Sequence, residues 1–127
     1  EANAGFTTGE PWFYVNQNYK EINVAAEERD PDSLLNFYRR AVALRKSLPV
    51  VRYGTYRERL RASGKLYVYE REHEGARLLV VCSFSDKPVT LPRRITRGAG
   101  KLILCNYPDS DSMTLRPYEA RVYSAEK

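Results

Sequence analysis

Leu66-Tyr67-Val68-Tyr69-Glu70-Arg71 and, shortly after it, Arg77-Leu78-Leu79-Val80-Val81-Cys82-Ser83-Phe84-Ser85 decide the fold. In the first stretch Leu66, Val68 and Glu70 alternate with Tyr67, Tyr69 and Arg71, which is the pattern of a strand with two different faces. The second is an apolar run that reads as a more deeply buried strand. His73-Glu74-Gly75 between them carries turn chemistry, as do Arg61-Ala62-Ser63-Gly64-Lys65 and Asp86-Lys87-Pro88. Outward from this pair, residues 53–60, 101–106 and 121–124 also read as strands, with shorter ones at 89–91 and 113–115. Short strands at this spacing predict a mainly β fold, an antiparallel β-sandwich or an open barrel.

Upstream the texture changes. Asp30 reads as a helix N-cap and Pro31 as the first helical residue, where a missing N–H costs nothing. Leu34, Phe37, Tyr38, Ala41, Leu44 and Leu48 recur at helical spacing, and Leu35 and Val42 widen the stripe. Arg45 and Lys46 suit the negative end of the helix dipole, and Pro49 stops the helix. A stripe this wide predicts contacts on more than one side. Residues 1–29 show neither period and read as a long loop. Such loops are functional or belong to a larger context.

The 127 residues, 43% hydrophobic and 29% charged, suit one globular core and exclude a disordered chain. Surface scaling predicts about 7,000 Å² of exposed area and roughly two-thirds of the unfolded surface buried. No apolar run approaches the ~20 residues of a membrane span. Glu1-Ala2-Asn3-Ala4-Gly5 lacks the features of an export signal, and the chain reads as beginning partway through a longer one. A net charge of +5 is a mild basic excess, and its arginines are dispersed rather than massed. They predict a solvated, salt-bridged surface rather than a nucleic-acid footprint. Cys82 and Cys105 sit in apolar runs and read as reduced, buried thiols of a cytoplasmic protein.

The search for chemistry yields no catalytic, cofactor-binding or metal-ligating residue. His73 falls in a hairpin turn, without the third group that orients a catalytic base, and reads as an exposed structural residue. Asp109 and Asp111 resemble part of a calcium loop, but its Gly and distant Glu are missing. Glu27, Glu28 and Asp30 lie at a helix entrance and lack the contrasting environments of an acid/base pair. Gly98-Ala99-Gly100 lacks the strand and helix of a phosphate loop and reads as a turn. Trp12, Phe13, Tyr14 and Tyr19 form a dense aromatic group, suited to packing the loop onto a neighbour or to stacking on sugar rings or nucleobases.

Read together, several segments resemble one family. Asn3-Ala4-Gly5-Phe6-Thr7-Thr8-Gly9-Glu10-Pro11-Trp12 and Asn18-Tyr19-Lys20-Glu21-Ile22-Asn23-Val24 resemble a stretch near the end of the catalytic barrel of oligo-1,6-glucosidase-type α-glucosidases, glycoside hydrolase family thirteen (the α-amylase family). Asp30-Pro31-Asp32-Ser33-Leu34 and Ala43-Leu44-Arg45-Lys46 resemble its last barrel helix. Val80-Val81-Cys82-Ser83-Phe84-Ser85 is similar to its VVxNFS strand, with Cys82-Ser83 replacing the usual residues. Leu104-Cys105-Asn106-Tyr107-Pro108 and the segment from Leu115-Arg116-Pro117-Tyr118-Glu119-Ala120 to Arg121-Val122-Tyr123 resemble its closing strands.

The resemblance implies a C-terminal fragment. Residues 1–50 would be the end of a (β/α)8 barrel and 51–127 a C-terminal antiparallel β-domain of about eight strands. The family's retaining chemistry uses paired carboxylates across the scissile bond. In the family these precede the segment seen here, so none is carried over and the chain alone is not an enzyme. The implied role is to stabilise the catalytic barrel of a parent enzyme acting on short α-linked gluco-oligosaccharides. Trehalose-6-phosphate hydrolases and dextran glucosidases share the architecture. The implied partner is that barrel; oligosaccharide is met only through the parent, with no nucleic acid, membrane or cofactor. The β-domain is expected to fold alone, and the exposed helix stripe and aromatic loop to drive self-association. An alternative is a carbohydrate-binding β-module that uses surface tyrosines such as Tyr67, Tyr69 and Tyr107.

Overall fold

The computed structural model describes residues 1–108 and 113–126. It divides into two compact units, residues 1–42 and 43–127.

In the first unit two short 3-10 turns, Ala2–Gly5 and Gln17–Lys20, precede α1 (Val24–Arg29) and the first nine residues of α2 (Leu34–Ser47). The Asn3 amide donates to the Thr7 and Gly9 carbonyls and ties the opening loop into a ring. Asn23 caps α1 by accepting from the Ala26 N–H at 2.9 Å. The expected cap of α2 is corrected from Asp30 to Ser33. Ser33 Oγ accepts from the Asn36 N–H at 3.2 Å and donates to the Glu27 carbonyl at 2.6 Å. Asp30 instead accepts from the Asp32 N–H, forming an Asx turn ahead of the helix. A side chain closes that turn, so the helix begins three residues later than the Asp-Pro signal predicts.

The second unit is built on one antiparallel sheet. β1 (Arg57–Glu58), β2 (Leu66–His73), β3 (Ala76–Ser83), β4 (Val89–Thr90), β5 (Lys101–Cys105), β6 (Thr114–Leu115) and β7 (Ala120–Glu126) follow in chain order. The main sheet has the order β1-β2-β3-β7-β5, and β4 pairs with β6 in a two-stranded ribbon. β2 and β3 form a hairpin closed at His73 and Ala76. Its two turn residues, Glu74 and Gly75, both have positive φ, the twist a two-residue hairpin requires.

One face of the main sheet carries Leu66, Val68, Leu79 and Val81 into the core, where they join Leu91, Ile95, Ala99 and Leu115. Leu115 comes from β6, and Leu91 immediately follows β4. Ile95 comes from α4 (Arg93–Thr96). The fold is mainly antiparallel β, as the sequence predicts. Its second layer is a ribbon and one helical turn rather than a full second sheet.

Two further expectations are corrected. The helix at 30–48 is joined by short helices, α1, α4 and α3 (Pro49–Tyr53). Pro49 does close off α2, but it also occupies the first turn of α3. Residues 53–60 therefore yield a strand only at Arg57–Glu58. The described residues contain seven strands.

Candidate functional site

The carboxylates at the helix entrance, Glu27, Glu28 and Asp30, are each held by a local partner. Glu27 accepts from the Leu35 N–H at 3.1 Å, and Glu28 pairs with Arg39 at 2.7 Å. Together with Ser33 and Asn36 they lock the corner between α1 and α2. Glu70 is buried and paired with Arg59 at 2.8 Å and with Arg77 at 3.7 Å. His73 is half-buried, not exposed as expected, because its ring lies 5.8 Å from that of Tyr53. Its Nε2 is 3.9 Å from the exposed Glu74 carboxylate. Gly98 and Gly100 have positive φ and form the predicted turn into β5. Asp109 and Asp111 lie outside the described residues. Among the described residues no three His, Cys, Asp or Glu side chains cluster as a metal site would need.

The most deeply buried polar group is a network on β7 and the segment before it. Glu119 is fully buried and Arg121 is 2% exposed, with Arg121 Nε donating to Glu119 at 2.8 Å. The other Glu119 oxygen accepts from the Arg116 N–H at 2.7 Å. Arg121 also donates to the Thr114 carbonyl at 3.1 Å. Burial works against the guanidinium charge, but the hydrogen bonds to Glu119 and Tyr123 outweigh it and leave Arg121 above its ordinary range. This network staples β7 to β6.

Two surfaces remain. The first belongs to the opening unit. Phe6, Trp12 and Tyr14 are 86%, 91% and 82% exposed. Trp12 and Phe13 touch at 4.5 Å between ring centres and border a hollow of about 740 Å³ with Pro11, Tyr14 and Tyr19. On α2, Leu34, Tyr38 and Val42 are exposed as well, and none of its side chains is buried.

The second surface is the outer face of the main sheet. Tyr56, Tyr67 and Tyr69 gather there, with Tyr69 5.5 Å from Tyr56 and 5.4 Å from Tyr67. The hydroxyls of Tyr56 and Tyr67 share a hydrogen bond at 3.0 Å, which is the main reason the Tyr56 phenol is pushed up to about 12. Burial raises Tyr69 and also the nearby Cys82 thiol. Sequence reasoning grouped Tyr67 and Tyr69 with Tyr107, and the structure brings only the first two together. Tyr107 donates to the Pro117 carbonyl at 2.9 Å and lies under the Arg116 guanidinium, 4.2 Å away. Tyr56 is the residue missed. It joins the group through the β1–β2 register, which strand pairing reveals and local pattern does not.

Residues 1–54 match the alpha-amylase family model, described as alpha amylase, catalytic domain. The oligo-1,6-glucosidase of Heyndrickxia coagulans is 44% identical over 126 residues, covering 98% of this chain and 22% of that protein. The oligo-1,6-glucosidase of Parageobacillus thermoglucosidasius is 42% identical over 128 residues, covering 95% of this chain and 23% of that protein. The crystal structure of Bacillus licheniformis trehalose-6-phosphate hydrolase is 37% identical, with a TM-score of 0.86 over 100% of this chain and 24% of that one. The chain thus spans less than a quarter of the length of these relatives. Along nearly its whole length it is similar to oligo-1,6-glucosidases and trehalose-6-phosphate hydrolases, and its first 54 residues match the α-amylase catalytic domain.

Proposed function

We propose that the chain is the non-catalytic C-terminal part of an α-amylase-family α-glucosidase that hydrolyses short α-linked gluco-oligosaccharides, of the oligo-1,6-glucosidase type. In this reading residues 1–50 complete the (β/α)8 barrel, and residues 51–127 are a β-domain that stabilises the barrel by packing. The catalytic carboxylates then lie outside these 127 residues. Substrate is met through the parent enzyme, which works in the cytoplasm without cofactor, metal, membrane or nucleic acid. The observation that carries the reading is collinear similarity over 98% of the chain to a protein of which it spans 22%. Its support in physical terms is the solvent-facing aromatic loop and α2 stripe. Such side chains are normally covered.

An antibody raised to the chain tests this in a lysate of the source organism. The expected band is roughly four to five times the chain's own size, by the coverage of its relatives, and the purified protein releases glucose from isomaltose. A band at the chain's own size overturns the reading. The grouping of Tyr56, Tyr67 and Tyr69 favours a second reading, a carbohydrate-binding module. A saturable change in tyrosine fluorescence on titrating the chain with isomaltose would support it.

A further inference from the structure

Charge is divided unevenly between the two units. Residues 43–127 carry 17 Lys and Arg against 9 Asp and Glu, whereas residues 1–42 carry 4 against 7. Within the basic unit the excess is local. Residues 87–108 hold Lys87, Arg93, Arg94, Arg97 and Lys101 and contain no acidic residue. Arginines are spread along most of the chain, but three of these fall in α4 and directly after it.

The core fixes how this turn is presented. Ile95 of α4 and Ala99 just beyond it are buried among the apolar side chains that fill the inner face of the sheet. Anchoring that side leaves Arg93, Arg94 and Arg97 exposed, together with Lys101 at the start of β5. At roughly 1.5 Å of rise per residue the three arginines lie within about 6 Å along one helical turn. Arg77 on β3 donates to the Gly98 carbonyl and pins the end of the turn. Among the described residues Lys87, Arg93, Arg94, Arg97 and Lys101 form no ion pair, whereas Arg39, Arg59, Arg77, Arg116 and Arg121 each meet a carboxylate. Arg97 stands three residues from Arg94 and four from Arg93, spacings at which like charges repel and destabilise a helix. A rigid cluster of unneutralised cations attracts an anion from outside the chain.

We propose that Arg93, Arg94, Arg97 and Lys101 form a binding site for a linear polyphosphate chain. Guanidinium forks meet phosphate oxygens through paired hydrogen bonds, and Lys101 adds a point charge. The surroundings select among polyanions. Single-stranded nucleic acid stacks its bases on aromatic side chains beside the cations, and residues 87–105 contain no aromatic. A lipid surface takes up exposed apolar side chains, but Leu91, Ile95 and Ala99 are buried. An extended acidic peptide presents one side chain per face about every 7 Å, too sparse for three cations in one turn. A phosphate chain bears charge on every unit and needs no hollow. The site lies wholly within these residues and needs no parent enzyme.

Fluorescence anisotropy of end-labelled inorganic polyphosphate, titrated with the 127-residue chain, tests the site. Saturable binding is expected, weakening steeply as salt rises because each phosphate contact releases counterions. The absence of saturable binding overturns the site. Arg93→Gln with Arg94→Gln and Arg97→Gln is expected to weaken binding about tenfold or more and to flatten the salt dependence. Its circular dichroism spectrum should not change, since all three side chains are exposed. Arg45→Gln with Lys46→Gln and Arg57→Gln removes the same charge elsewhere on the unit and is expected to change affinity by less than about twofold. Equal losses in the two triple variants would reduce binding to net charge and overturn the site. The unsubstituted chain gives a second measurement. Polyphosphate is expected to protect Arg93, Arg94 and Arg97 from phenylglyoxal, read by mass spectrometry, and unprotected arginines in the bound chain would overturn the site. Tighter binding of duplex DNA, or of phosphatidylserine vesicles, at equal phosphate concentration would overturn polyphosphate as the ligand.

Discussion

Arg121 occupies an inward position of β7, opposite Val81, where strand alternation calls for an apolar residue. It is tolerated there because Glu119 meets it at 2.8 Å, the Thr114 carbonyl and the Tyr123 hydroxyl accept from it, and the Arg116 N–H donates to Glu119. Removing one member of a buried pair leaves the other charge uncompensated, at a cost of about 3–5 kcal/mol. Glu119→Ala is thus expected to lower the urea midpoint of the chain strongly. The double variant Glu119→Leu with Arg121→Met is expected to lose less than the sum of the two single changes. Strict additivity in urea titrations would refute the coupling. Nearby, Gly100 has φ +85°, and a Cβ there would strike the Ser124 carbonyl oxygen on β7. Burial holds the Cys82 and Tyr69 protons more tightly in the folded chain than in the unfolded one. The stability this supplies is complete below the unfolded thiol range and is lost as pH rises through the raised values. The melting temperature is therefore expected to fall as pH rises above the ordinary thiol range, about 8.5. Cys82→Ala should flatten that fall in a series of thermal scans, and an unchanged slope would exclude the thiol as a source.

At the scale of elements, legibility followed how local the determinants are. The β2–β3 hairpin was readable because alternation, the Glu74-Gly75 turn and the apolar run of β3 all lie within eighteen residues of sequence. β1 was not, because Pro49 can stop one helix and start another, and the second use turns Val50 to Tyr53 into α3 rather than strand. The two-stranded ribbon was legible as two short strands, but their pairing joins residues 89–90 to 114–115 and leaves no local mark. Of the candidate surface, Tyr67 and Tyr69 could be read from β2, whereas Tyr56 enters only through cross-strand pairing. The start of α2 was misread because Asp30-Pro31 and Ser33 are competing caps three residues apart. Ser33 wins by serving two backbone groups, the Asn36 N–H and the Glu27 carbonyl. Ser33→Ala is expected to cost about 0.5–2 kcal/mol, the range for losing an N-cap. Asp30→Ala, which removes only the turn bond to Asp32, should cost less. Helix signal at 222 nm during thermal melts orders the two, and the reverse order would restore Asp30 as the cap.

At the scale of the whole chain, exposed area is the informative quantity. Large apolar side chains stand exposed in the opening unit, at Phe6, Trp12, Phe13, Tyr14, Ile22 and Val24. A patch of this kind on an isolated chain seeks another surface, and a second copy is the one present in a pure solution. The isolated chain is therefore expected to self-associate through the opening unit as concentration rises, and to bind a hydrophobic dye. Trp12→Ser with Phe13→Ser should shift sedimentation toward monomer and lower dye fluorescence. It should leave the sheet intact, since both residues lie outside the β-rich unit. Cys82, on the sheet of the other unit, should keep the same rate of N-ethylmaleimide labelling across the concentration series. Sedimentation that stays monomeric at high concentration, or that does not respond to the double substitution, would show that the aromatic loop is not the surface that seeks a partner.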